Sequence, residues 1–361
     1  MSDNLIYVMP VKGDEEWDQE LACLGHSIFS SLRYTWSGAS KDGEFFVLRN
    51  VSTAHPLIFF RIYSYRIEIL QLCSKFSSSD IHIVCQHIFN MFGQIRCIGF
   101  DCVESDREEI GFVAQRYNVS EDFVIDLCGS VARYTSMLGR QLQHDLKRYK
   151  KKLSTASSDV RYACFSGQDV AEAVFNEIIG LSASRMAGKE VASSHTLEKS
   201  RRLFDLVKNF GFLSVIYVDG IVRAGVICTR YGTEMFMHVV AHDTGFDRFR
   251  LGKLACYFSI CAAIESGVLR YHLLSGWYDY KLRFLGKPVE FDRVEVYRSA
   301  GAVFFCLRRY LAIFYRGNGR RVKRYLKLRG SGLPGRSTQG PGVLPFLGRM
   351  VGPVRWLWRG G

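Results

Sequence analysis

Val222-Arg-Ala-Gly-Val-Ile-Cys-Thr-Arg-Tyr231, Glu234-Met-Phe-Met-His-Val-Val-Ala-His-Asp243, Arg248-Phe-Arg-Leu-Gly-Lys-Leu-Ala255 and Arg270-Tyr-His-Leu-Leu-Ser-Gly-Trp-Tyr-Asp-Tyr-Lys281 follow one another along the chain. The first two pieces are rich in β-branched and aromatic residues and read as strands. The third is a short basic loop around Gly252, leading into an apolar helical pattern that ends at Gly267. The fourth opens on another strand. That order sets backbone N–H groups and cationic side chains at a helix N-terminus, where phosphate oxygens bind well. The same loop also reads as an ordinary basic turn before a helix.

Outward from this stretch, Phe212–Val218 and Ile221–Thr229 flank Asp219-Gly220, a strong hairpin signal between apolar runs. A strand is expected at Val160–Phe165, helices at Asp169–Met186 and Thr196–Phe210, and a helix at Lys253–Glu265. Strands follow at Leu269–Leu274 and at Val289–Tyr297, which alternates cleanly between apolar and polar residues. Towards the start, Asp14–Ser37 reads as a helix, and Glu44–Asn50, Leu57–Tyr63, Ile67–Leu72, Gln94–Phe100 and Phe123–Leu127 as strands. Asp80–Phe92 has helical spacing with Asp80 as N-cap. Ser136–Leu153 reads as an exposed basic amphipathic helix, with leucines at 138, 142, 146 and 153. The polar run Ser154–Asp159 marks a boundary after it. Ala302–Tyr315 reads as a helix with an aromatic face, broken by Gly317-Asn-Gly319 and resumed at Arg320–Arg329. The glycine- and proline-rich tail after it is expected to be poorly ordered.

A length of 361 residues suggests two domains, and 48% hydrophobic with 23% charged residues is ordinary for a globular chain. The eleven cysteines form no Cys-x-x-Cys pair. Cys97, Cys102, Cys256 and Cys261 suit buried positions, and the odd count suggests a reducing compartment. Without a secretion signal or a long uncharged apolar run, the expected location is the cytoplasm. The net charge of +13 is uneven, with nine Arg and Lys and no acid between Arg308 and Arg329. Such a segment suits phosphate-rich ligands, nucleic acid or an anionic membrane face. No Gly-x-Ser-x-Gly pattern supports a serine nucleophile.

The order strand, two helices, three-strand meander, helix, strand, strand resembles the GNAT acyltransferase superfamily. Within it, the chain looks like the CelD-like acetyltransferase domain of bacterial polysaccharide-biosynthesis proteins. The resemblance covers Leu138 to Arg298. It rests on the Asp-Gly hairpin with Ala224 and Gly225, on Arg250-Leu-Gly-Lys-Leu, and on Leu273-Leu-Ser-Gly followed by Tyr280-Lys281. It implies a mixed α/β (α+β) fold, a twisted, mostly antiparallel sheet flanked by helices. Residues 1–135 fit a degenerate first copy, as in tandem-domain FemX-like transferases. The expected layout is 1–135 for that copy, 136–153 a connecting helix, 154–300 the acyltransferase domain, 301–329 a basic helical segment and 330–361 a tail.

The resemblance implies acetyl-CoA or another acyl-CoA as co-substrate. Its site would take Val239, Val240 and Ala241 from the central strand, and Arg248, Arg250, Leu251, Gly252, Lys253 and Leu254 from the loop. The superfamily prefers Gln or Arg three residues before the glycine and Gly or Ala two after it; here those places hold Phe249 and Leu254. Tyr280-Lys281 falls beside the thioester, where Tyr280 or Tyr278 can act as general acid. Either tyrosine can equally pack its ring and bond a carbonyl. His272, Trp277 and Tyr278 stand where the family usually carries acids. His238 and His242, four apart and hence expected on one strand face, are candidate general bases before Asp243.

Three functions follow. The first is an acyl-CoA-dependent N-acyltransferase, with a small-molecule or glycan amine such as an amino sugar as acceptor, in polysaccharide or cell-envelope biosynthesis. The second is a FemX-like transferase using aminoacyl-tRNA, the one reading that involves nucleic acid. The third is a non-catalytic module on a membrane complex, with peripheral contact through the basic C-terminal segment.

Overall fold

Two strands that leave their own halves build the centre of the molecule. A computed structural model describes residues 6–10, 44–50, 56–106, 108–187 and 197–330. The helix expected at Asp14–Ser37 and the tail from residue 331 lie outside the described residues. The chain divides into two compact units, Met1–Leu311 and Ala312–Gly361.

In the first half come β1 (Ile6–Pro10), β2 (Glu44–Asn50), β3 (Pro56–Tyr63), β4 (Arg66–Ile69), β5 (Lys75–Phe76), α1 (Ser78–Met91), β6 (Cys97–Ser105) and β7 (Val113–Asp126). Helices α2 (Val131–Met137) and α3 (Arg140–Ala156) lead to β8 (Val160–Ser166), α4 (Glu172–Ala187), α5 (Leu197–Phe210), β9 (Gly211–Val218), β10 (Ile221–Tyr231) and β11 (Glu234–His242). Then follow α6 (Leu251–Glu265), β12 (Arg270–His272), α7 (Asp279–Arg283), β13 (Lys287–Tyr297), α8 (Ala300–Phe305) and α9 (Leu307–Gly330).

One sheet runs β1-β2-β3-β4-β6-β13-β7-β12-β11-β10-β9-β8, with β5 beside β6. The order is symmetric about its middle. β7 continues the first half yet pairs with β12, while β13 continues the second yet pairs with β6. The two exchanged strands pair with each other from Lys287↔Val124 to Tyr297↔Val113. The sheet is mostly antiparallel, with parallel pairs at β4/β6, β5/β6 and β11/β12. This is the GNAT fold expected from the sequence, in two interlocked copies.

Period-2 patterning explains how helices cover both faces. Along β9, Phe212, Ile216 and Val218 join the core under α6, whereas Leu213, Val215 and Tyr217 join the core under α4 and α5. The hairpin residues Asp219 and Gly220 both take positive φ, as a tight two-residue turn requires. A Cβ at Gly225 would lie 2.6 Å from Ile178 of α4, so glycine there lets helix and sheet close up.

Three expectations are corrected. Ser77, not Asp80, is the N-cap of α1, and Asp80 is the third residue of a capping box. The helix expected over Ser136–Leu153 is two helices, and its leucines 138, 142, 146 and 153 are buried in the core with α6. The C-terminal helix breaks at Cys306 rather than at Gly317-Asn-Gly319, and α9 runs on to Gly330. A helical glycine costs only about 1 kcal/mol, while buried Cys306 is pinned with Cys97 and Tyr297.

Glu295 of β13 ties the halves together. Fully buried, it accepts from Nε and Nη2 of Arg309 and faces Arg66 at 3.4 Å and Arg293 at 3.6 Å. Burial pushes its pKa up, but the Arg309 hydrogen bond and the surrounding guanidinium charges outweigh this and hold it low. Removing one member of such a buried cluster strands the others. In urea melts, Glu295→Ala should cost about 3–5 kcal/mol; a loss below about 1 kcal/mol, the range of exposed pairs, would show that the cluster does not hold the joint.

Candidate active site

β11 and β12 pair in parallel for three residues, Glu234↔Arg270 to Phe236↔His272. β11 then continues to His242, while the backbone after β12 turns away: the Leu273 N–H donates to the Phe123 carbonyl of β7 at 2.8 Å. Residues 237–242, which include Val239, Val240 and Ala241, therefore have no paired strand on the β12 side. The strands part and leave a gap.

A bulge lies in this stretch. Ile227 pairs with Val239 and Cys228 with Met237, so His238 is the extra residue. Met235 and Met237 belong to the core under α6, but beyond the bulge Val239 and Ala241 belong to the core under α4 and α5. This corrects the expectation that the two histidines share a face. His238 bonds Thr229 Oγ1 at 2.8 Å, on the α4/α5 side with Ile227. His242 lies on the α6 side, where its Nδ1 would be 2.9 Å from a Cβ at Gly252. The lack of a side chain at Gly252 thus leaves room for the His242 imidazole beside the start of α6.

After β11, Asp243 accepts from the Gly245 N–H and caps a 3₁₀ turn, Thr244–Phe249. Arg250 then adopts a left-handed conformation (φ 52°, ψ 42°) at the N-cap of α6 and makes no side-chain cap bond. Such a conformation costs a non-glycine residue about 1–2 kcal/mol and is the kind of strain that gathers at ligand clamps. The N–H groups of Lys253 and Leu254 bond the Arg250 carbonyl, which leaves those of Leu251 and Gly252 at the open end. Helix α1, at the matching place between β4 and β6, differs. Its N-terminus already holds the Asp80 and Asp106 carboxylates, which accept from the N–H groups of Ser77 and Ser78.

A cavity of about 610 Å³ opens beside Arg250, lined by Arg148, Tyr149, Lys152, Asp247, Arg248 and Arg250. Four cations face one carboxylate there, and Asp247 already accepts or shares a proton with His242 Nε2 at 2.8 Å. Lys152 Nζ donates to the Arg248 carbonyl at 3.4 Å. Sequence reading missed the α3 contribution. The signal was there: leucines 142, 146 and 153 fix the buried side of α3, and Arg148 and Lys152 are one turn apart beside it.

Tyr278 and Tyr280 stack with ring centroids 6.1 Å apart. Burial raises the pKa of Tyr280, and the charge of Arg185 on α4 works against that rise. Arg185 was not foreseen as a site residue, and its buried Nε has no partner among the described residues. Lys281 is buried, and its ammonium donates to the carbonyls of Leu274 (2.6 Å) and Ser275 (2.8 Å). Burial lowers its pKa to about 8. The structure brings Lys281 to the turn that carries Tyr280, as a clamp on its backbone.

His272 sits where the strands part. Its Nδ1 meets Asp122 of β7 at 2.6 Å and its Nε2 meets Glu234 of β11 at 2.7 Å, while its ring stacks on Phe236 at 4.3 Å. Burial pulls its pKa down, but hydrogen bonds to both carboxylates, and their charges, raise it overall. A raised histidine stabilises the fold fully below its ordinary value of 6.5 and loses that contribution as pH climbs through the folded value. Glu234 is held below its ordinary 4.5, so its own contribution is lost only on the acid side. The stability gap between the wild type and His272→Gln should be widest between these ordinary values and shrink as pH rises. A gap that stays flat into alkali in urea melts would contradict this.

Residues 140–282 match the family model described as Acetyltransferase (GNAT) domain. No curated protein matches the chain. Among solved structures, FemX aligns at 8% identity with a TM-score of 0.54, covering 83% of this chain and 99% of that one. L-PGS from Bacillus licheniformis aligns at 14% identity and TM-score 0.47 (86% and 98% covered). A tandem GNAT protein from the clavulanic acid biosynthesis pathway aligns at 7% and 0.38 (81% and 98% covered). The match to a GNAT acetyltransferase domain thus falls on residues 140–282, within a sheet that repeats that fold.

Proposed function

We propose that the chain is an acyl-CoA-dependent N-acyltransferase of the CelD-like kind, acting on an amine such as an amino sugar in polysaccharide or cell-envelope biosynthesis. The observation that carries this reading is the parting of β11 from β12 beside a helix N-terminus without a side-chain cap and ringed by cations. A diphosphate there would meet the amides of Leu251 and Gly252 and the side chains of Arg148, Lys152, Arg248 and Arg250. The residues therefore fit coenzyme A.

In the reaction the amine nitrogen bonds to the acyl carbon as the carbon–sulfur bond breaks. The nitrogen loses one proton and the sulfur gains one. Backbone amides of β11 beyond Phe236 that face the gap left by β12 suit the carbonyl oxygen that gains charge. Tyr280, kept protonated by its raised pKa, is the donor to sulfur. His238 faces the α4/α5 side, away from the cationic cavity, and is the better placed base for an incoming amine. His242, bonded to Asp247 over Gly252, serves the coenzyme side.

A second reading, transfer from aminoacyl-tRNA, draws support from α3, whose Lys147, Lys150 and Lys151 join Arg148 and Lys152 in extending the basic surface beyond the cavity. Steeply salt-dependent tRNA binding would favour it. The basic C-terminal segment supports peripheral attachment to a membrane in either case.

Acetyl-CoA at a hundred times its dissociation constant should stabilise the fold by about 2.7 kcal/mol. Arg148→Glu and Arg250→Glu should each weaken that binding by about tenfold or more. Tyr280→Phe should leave binding intact and lower kcat by about a hundredfold. Thermal shifts and single-turnover assays check these outcomes. Stabilisation by tRNA but by no acyl-CoA would reverse the assignment.

A further inference from the structure

The net charge of the chain is not spread over it. Residues 301–361 contain thirteen of the 48 Arg and Lys and no Asp or Glu, so the first 300 residues set 35 cations against 35 acids. The whole excess of +13 belongs to the C-terminal sixth of the chain.

At the start of that segment lies an apolar face. Phe304 is 80% exposed and Phe305 65%, with Leu307 and Leu311 also exposed beside the exposed Arg308. The face is held firmly from below. Ser299 caps α8, Ala302 and Cys306 pack on Cys97 and Tyr297, and the Phe305 ring meets Tyr65 edge-on at 5.3 Å. Two adjacent phenylalanines are thus presented outward on a fixed helix end, part of a contiguous apolar patch with Leu307 and Leu311.

We propose that this face binds the surface of an anionic lipid bilayer, with Phe304 and Phe305 entering the acyl boundary, the exposed Arg308 meeting the headgroups beside them, and the cations that follow in sequence adding to the attraction. Aromatic residues beside excess Arg and Lys form the pattern of a surface-bound helix. No helix among the described residues is long and apolar enough to cross a membrane, so the contact is peripheral. Self-association fits less well, because a second copy would bring a second excess of positive charge with it. Nucleic acid would satisfy the cations and leave the phenylalanines in water. The inference does not depend on the acyl donor.

The test is flotation of the full chain with vesicles of phosphatidylcholine alone or mixed with phosphatidylglycerol. The chain should bind the mixed vesicles at least about tenfold more tightly, and binding should fall with added salt. Phe304→Ser with Phe305→Ser should weaken that binding by about tenfold or more, given the apolar area lost. The acetyl-CoA response should not change, and the melting temperature should fall by no more than loss of the Phe305–Tyr65 ring contact explains, as the single variant Phe304→Ser confirms by weakening binding with no such fall. Equal binding to both vesicles, or full binding by the double variant, would overturn the proposal. So would concentration-dependent dimers that the double variant abolishes, or binding only after removal of residues 331–361, since each names another occupant.

Discussion

The carbonyl of Phe123 decides where the strands part. By taking the Leu273 N–H, β7 draws the chain after His272 away from β11, and the sheet opens beside residues 237–242. Asp122, the neighbour of Phe123, holds His272 from the same strand, and Glu234 holds it from β11. One buried imidazole thus fastens the last paired position to both flanking strands. β7 itself comes from the first half of the sequence. The first half is therefore a structural part of the opening, which explains why a stretch without a motif of its own is retained in a single compact unit with the second.

The two halves show what separates a closed unit from an open one. Each contains a strand, a helix and a parallel strand: β4, α1 and β6 in the first, β11, α6 and β12 in the second. In the first, carboxylates from Asp80 and Asp106 already occupy the helix N-terminus, so an incoming anion would have to displace charge of its own sign. In the second, Arg250 spends its backbone on a left-handed turn and offers no side-chain cap. The surroundings supply cations instead. The fold is common to both, and side chains at the helix terminus decide which copy leaves that terminus open.

Much of this was legible from the sequence. The Asp219-Gly220 turn, the apolar alternation of β9 and the helix after Gly252 each carry a local signal, and local signals survive folding. The failures share a cause. The bulge at His238 has no sequence mark, yet it reverses the faces of every later residue in β11 and so separates two histidines that spacing had joined. The exchange of β7 and β13 is invisible because either strand pairs equally well by its own pattern. The two carbonyls to which the buried Lys281 ammonium donates were equally out of reach, since they are set by the turn and not by a residue type.

Net charge was the weakest guide of all. A value of +13 suggested a basic protein with anionic partners, but the first 300 residues are balanced, and the cavity at α6 lies among them. Its potential is local. It arises because the leucine stripe of α3 docks on α6 and carries Arg148 and Lys152 to Arg248 and Arg250, against only two nearby carboxylates, Asp145 paired with Arg148 and Asp247 bonded to His242. Within roughly one screening length in physiological salt, about 8 Å, only such neighbours matter. The cationic character of this cavity is therefore a property of helix packing, and a substitution that shifted α3 without touching any charge would disperse it as surely as removing an arginine.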